Sequence, residues 1–144
     1  MSKHSELIGI WRLLSFDVEY QASGLRKPYY GDQGNTLASG FMILTPEGRM
    51  MVLVAGGGRE PGQTDEKQAA LFRTMLSYTG GYKVEEDKFI TAVDVSWNEL
   101  WTGTEQVRYF VLEDDRLDIM TAWMPHPLHS ESIVRGVLSW ERTK

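Results

Sequence analysis

The chain has no cysteine among its 144 residues. Disulfides, thiolate metal sites and cysteine nucleophiles are thereby excluded, and a reducing compartment fits, so the cytoplasm is the expected location. A membrane-length hydrophobic run is missing as well, since nowhere do about 18 apolar residues stand in succession. The opening segment Met1 to Gly9 lacks the apolar stretch of a secretion signal. Basic runs are also absent. Fifteen Lys and Arg stand against twenty Asp and Glu, a net charge of −5, and an acidic chain without a basic patch repels phosphate backbones. Nucleic acid and membrane are therefore not expected partners, and a monomer or homodimer is expected. No repeat, low-complexity tract or composition break divides the chain, so residues 1–144 read as one domain. A chain of this length buries roughly two-thirds of its unfolded surface and needs no staples.

Aromatic residues are plentiful: five Trp, six Tyr and five Phe. Such side chains serve both cores and apolar ligand sites. Turn signals recur at regular intervals. Thr45-Pro46-Glu47-Gly48 has Pro and Gly where a tight connection wants them, and Glu85-Glu86-Asp87-Lys88 and Glu113-Asp114-Asp115-Arg116 are short charged breaks. Between them, runs rich in Val, Ile, Thr, Tyr, Phe and Trp predict strands near 9–20, 39–45, 49–55, 79–85, 88–97, 104–113, 116–123 and 132–142. Eight strands joined by short connections predict an all-β, antiparallel up-and-down barrel, closed so that no edge is exposed. Residues 65–77 break the pattern. Ala69, Phe72 and Leu76 fall at helical spacing after Thr64 or Asp65 as N-cap, which predicts one amphipathic helix ended by Gly80-Gly81. Residues 21–38 and 124–131 read as longer loops.

Gly9-Ile10-Trp11, opening the first strand, has the form of the lipocalin Gly-x-Trp signature, and Trp140-Glu141-Arg142 closes the last strand with a basic residue beside a tryptophan. A tryptophan can seal a barrel end while a guanidinium stacks on it. The runs 7–16, 44–50, 78–82 and 103–110 occur in order along nearly the whole chain. Together they make it resemble the bacterial and fungal lipocalin-like domain family, a calycin-type barrel. That resemblance implies fold more than function. It also implies a histidine just before Val93-Asp94-Val95-Ser96, where Thr91 and Ala92 stand instead. No role resting on that histidine carries over.

Several constellations fail on their chemistry. Gly57-Gly58-Arg59-Glu60-Pro61-Gly62-Gln63-Thr64 approximates a phosphate loop but has Gln63 where lysine must be. His126-Pro127-Leu128-His129 with Glu131 cannot lie on one helical face and lacks a third imidazole nearby, so no metal is expected. No Gly-x-Ser-x-Gly elbow frames a nucleophile, and no cofactor is expected.

Arg108 is the most informative residue. Alternation along 104–113 places Val107, Tyr109 and Val111 on the more apolar face, which argues that Arg108 points outward. The opposite face, with Gln106, Phe110 and Leu112, would put a guanidinium inside, as an acidic ligand requires. The pattern leaves both open, and Asp94 and Ser96 could partner it. Trp97, Trp101 and Trp123 fall at strand ends and loops, where a binding mouth would lie. The expected function is binding of a small hydrophobic or aromatic metabolite, an acidic one among the options, with Arg108, Asp94, Tyr82, Trp97, Trp123 and His126 as candidate contacts. The alternative is a cofactor-independent isomerase, cyclase or hydratase, for which Asp94, Tyr82, Arg108 and His126 are the candidate acid–base groups. A solid structural barrel is the third class.

Overall fold

The structure, a computed structural model, describes residues 3–31 and 37–143; the 32–36 part of the expected loop 21–38 lies outside them. Lys3–Leu7 form a short helix, α1. The strands are β1 Gly9–Tyr20, β2 Arg26–Pro28, β3 Ser39–Leu44, β4 Arg49–Ala55, β5 Met75–Glu85, β6 Lys88–Ser96, β7 Glu105–Glu113, β8 Arg116–Met120, β9 Met124–Pro125 and β10 Ile133–Arg142, with helix α2 Asp65–Arg73 before β5.

Eight long strands close into an antiparallel barrel in the order β1-β3-β4-β5-β6-β7-β8-β10, and β10 pairs back onto β1. The two-residue β9 and three-residue β2 are short additions beside β10 and β1. Alternation sets the inner face. On β4, Met50, Val52 and Val54 are buried while Met51 and Leu53 are exposed. Met51 and Leu53 share the outer wall with Ile10, Phe41 and Ile43, so the outside of β1, β3 and β4 is itself apolar.

One end of the barrel is sealed. Trp11 and Leu7 are fully buried there, and the Trp11 indole Nε1–H donates to the Leu7 carbonyl at 2.9 Å, which ties α1 across the opening. Gly9 has φ +143°, and a Cβ there would meet Arg142 Nη1 at 2.9 Å, so the Gly-x-Trp glycine admits the arginine that covers the tryptophan. The opposite end carries the loops after β1, β4, β6 and β8.

The helix is shorter than expected. Thr64, one of the two caps expected, closes its N-terminus by accepting from the Lys67 amide. It stops at Arg73 because Met75, Leu76 and Ser77 pair with Ala55, Val54 and Leu53 of β4. Ladder hydrogen bonds to a neighbouring strand win over helical spacing here. Gly80-Gly81 therefore ends no helix. It lies mid-strand in β5, where the register against β6 slips between Thr79 and Gly80. A Cβ on Gly80 would meet the Ala92 carbonyl oxygen at 1.9 Å, so only glycine permits that approach. Among the described residues, no helix is long and apolar enough to cross a membrane.

Candidate ligand-binding site

The barrel encloses a cavity of about 300 Å³ that opens at the loop end. Its floor is aliphatic and aromatic. Met42, Met50 and Val52 reach in from β3 and β4, Phe89 from β6, and Leu138 and Trp140 from β10. The β3 and β4 positions are the inward ones of alternating strands, so that part of the floor follows from the same periodicity that builds the core.

The mouth has two aromatic walls. On one side Phe16 of β1 stacks on Tyr29, with centroids 4.3 Å apart, and meets Tyr30 edge-on at 5.4 Å. On the other side Trp97 and Trp101 meet edge-on at 5.0 Å, and Tyr78 lies 5.3 Å from Trp101. The Trp97 indole Nε1–H donates to the Phe72 carbonyl at 3.3 Å and so ties this wall to the end of α2. Arg59 donates to the carbonyls of Leu71 and Thr74, both at 3.0 Å, which satisfies orphan acceptors at the helix C-terminus. Burial pushes the Tyr30 phenol up; Tyr29 adds to this and Arg59 offsets part of it.

Three guanidiniums line the cavity: Arg73, Arg108 and Arg135. Arg135 already has a carboxylate partner. Its Nε donates to Glu19 Oε1 at 2.7 Å while its Cζ lies 4.4 Å from the Trp123 ring centroid. Glu19 also accepts from Arg26 at 2.9 Å. Burial raises the Glu19 carboxyl, but hydrogen bonds and charge from both arginines outweigh it and hold the group below its ordinary value. Arg108 is held differently. Its Nη1 donates to the Val107 carbonyl at 2.9 Å and its Nη2 to Gln106 Oε1 at 3.2 Å. Gln106 Nε2 donates to Thr104 Oγ1 at 2.9 Å, and that hydroxyl donates to the Trp101 carbonyl at 2.6 Å. The chain ends where it began, because Arg108 Cζ lies 5.9 Å from the Trp101 ring centroid.

Arg108 thus points inward. The apolar count of Val107, Tyr109 and Val111 argued the reverse. Val111 is 51% exposed because the outer wall of this barrel tolerates large apolar residues, whereas Phe110, on the face of Arg108, is buried. Asp94 is not its partner. It stands on the outer face, where Arg49 clasps it with two bonds of 3.1 and 2.7 Å and holds its carboxyl below the ordinary range. Across the β6–β7 ladder, Arg108 instead faces Phe89. Ser96 accepts the Asn98 amide. Tyr82 lies toward the sealed end, its hydroxyl 3.3 Å from both His4 Nε2 and the Thr45 carbonyl. Trp123 covers Arg135 at the rim, outside the cavity lining. His126 sits in an exposed loop, where its Nδ1 accepts the Leu128 amide and its ring stacks near Tyr20, while Met124 and Pro127 reach the cavity. Of the six candidate contacts, Arg108 and Trp97 come together at the cavity, and Trp101 joins them. Tyr29, Tyr30 and Arg135 escaped sequence reading; the adjacent pair Tyr29-Tyr30 after Pro28 was the signal available. Among the described residues, no three potential metal ligands gather.

A mutant of the fluorescent protein UnaG is one solved structure similar to this chain. The two share 15% identity with a TM-score of 0.42, over 96% of this chain and 97% of that one. No curated protein matches the sequence. The profile of the lipocalin-like domain family matches residues 8–143, and the chain belongs to that family.

Proposed function

We propose that the barrel binds one small, largely hydrophobic molecule through its open end, with an aromatic body resting against Trp97, Trp101 and Tyr78. The observation that carries this reading is the cavity itself. Its volume of about 300 Å³ lies at the lower end of small-ligand pockets, and its apolar floor with a few placed polar groups is the usual lining of such sites. An open cavity also weighs against a solid structural barrel.

The competing reading, an isomerase, cyclase or hydratase working without cofactor, needs a group that gives or takes a proton at the cavity. Among the described residues, the ionisable side chains lining it are tyrosines and arginines, with no carboxylate or imidazole. Burial pushes the Tyr30 phenol up, away from any role as a base at neutral pH. This chemistry favours holding a ligand over transforming it. The absence of cysteine suits a reducing compartment, the expected setting.

Trp97 and Trp101 supply the readout. Titration with a series of small naphthalene and indole compounds should quench or shift tryptophan emission to saturation with one site per chain. If none of the series binds, and soaked crystals show an empty barrel, the reading is wrong.

A further inference from the structure

Resting on the cavity reading above, we infer that the ligand is a carboxylic acid and that its ionised carboxylate pairs with Arg108 inside the barrel. The argument begins with charge. Arg12, Arg26, Arg49, Arg135 and Arg142 each reach a carboxylate on this molecule. Arg108 is half-buried in the cavity wall, yet among the described residues no carboxylate pairs with it. Its two hydrogen-bond partners, the Val107 carbonyl and Gln106 Oε1, are neutral. A permanently charged group taken partly out of water into an apolar space is costly unless an opposite charge meets it. The protein supplies none, so the occupant is left to supply it.

The setting selects the kind of anion. The guanidinium is a planar fork that matches a carboxylate with two parallel bonds. Gln106 and Thr104 fix its orientation by a relay anchored on the Trp101 carbonyl. The Trp101 ring beside it gives an aromatic body a face to lie on while its carboxylate reaches the fork. Of the other two cavity arginines, Arg135 is occupied by Glu19, and Arg73 stands exposed at the end of α2. Neither is both set within the wall and without a carboxylate partner. A phosphate, with more charge and more hydration, fits poorly against a floor of methionine, valine and phenylalanine.

Calorimetric titration of the full chain with a naphthoate and with the matching neutral naphthamide tests this at neutral pH. The acid should bind at least about tenfold more tightly than the amide, as a charge-assisted pair predicts. Arg108→Gln should abolish that preference while the amide still binds measurably. Arg108→Lys should keep part of it, which guards against a folding artefact because it retains the charge. Arg73→Gln, which removes the other cavity guanidinium that lacks a carboxylate partner among the described residues, should keep the acid the tighter binder. Equal affinity of the native protein for acid and amide overturns the carboxylate inference while the cavity reading stands. So does a preference that survives Arg108→Gln. A preference lost in Arg73→Gln moves the anion to the helix end and overturns it too. If neither compound binds the native protein, this inference falls, and the cavity reading falls with it only if the rest of the aromatic series also fails to bind and soaked crystals show an empty barrel.

Discussion

The Arg142 guanidinium lies over Trp11, its Cζ 4.3 Å from the ring centroid, and from there donates to the carbonyls of Ile8 and Glu6. The pair closes the sealed end of the barrel from both terminal strands at once, since Trp11 and Arg142 are also direct partners in the β1–β10 ladder. Trp11→Ala should cost about 3–5 kcal/mol, the transfer energy of a buried indole plus the cavity it leaves. Against a total stability of about 5–15 kcal/mol, that means a steep fall in Tm or loss of soluble protein. Trp101→Ala should cost only about 1–2 kcal/mol, because its ring packs at the mouth against Tyr78 and Trp97. Its main effect should be on ligand affinity. Equal, mild losses from both would show that the seal lies elsewhere.

The adjacent glycines of β5 should behave oppositely. Gly80→Ala drives a Cβ into the Ala92 carbonyl and should cost about 2–4 kcal/mol by denaturant unfolding. A Cβ on Gly81 meets nothing closer than 3.8 Å. Gly81→Ala should therefore be neutral or stabilise slightly, by up to about 1 kcal/mol, through a less mobile unfolded chain. Tolerance of alanine at both positions would mean that the close approach of β5 and β6 at the bulge is wrong.

Thr91 is completely buried and its hydroxyl has no hydrogen-bond partner. Such a group carries a desolvation cost of about 1–3 kcal/mol with nothing to offset it. Thr91→Val keeps the shape and removes the cost, so Tm should rise by a few degrees. A fall on substitution would show that the hydroxyl is satisfied in solution.

Glu19 predicts a pH signature. Its carboxyl is held below its ordinary value by Arg26 and Arg135, so its contribution to stability is complete above the unfolded-state pKa of about 4.3 and fades as pH falls through the lowered folded value. Glu19→Gln should cost about 1–3 kcal/mol at neutral pH, the loss of charge-assisted bonds to two guanidiniums. Comparison of urea midpoints for native protein and variant should give a constant gap from about pH 5 to 8, narrowing below about pH 4. A gap that widens in acid would reverse the sign.

Strands such as β4 were legible because each alternates an apolar inner set with a clear turn at its end. The Thr45–Gly48 turn closes as read, the Thr45 hydroxyl accepting the Arg49 amide. The start of β5 was hidden by a local conflict. Phe72 and Leu76 share helical spacing, and only pairing with β4, set by a strand more than twenty residues earlier, decides where the helix stops. Arg108 was illegible for a related reason. Its direction follows from which face of β7 the barrel encloses, and the apolar outer wall blurs the contrast that would announce it. The Arg49–Asp94 clasp spans 45 positions across the outer surface, a pairing that no strand pattern encodes.

The closure of β1 on β10 also shapes how the molecule comes into being. Arg12 and Glu141 bond across 129 positions of sequence, so the first strand leaves the ribosome on the order of ten seconds before its partner is synthesised. During that interval β1 presents Ile10, Leu13, Phe16 and Val18 along an unpaired edge, the surface most prone to pairing with a stranger. Contacts this distant also slow the final step of assembly. The nascent chain is therefore most exposed to misassembly along the edge of β1 that waits for β10, since β2 and β3 pair with β1 much sooner.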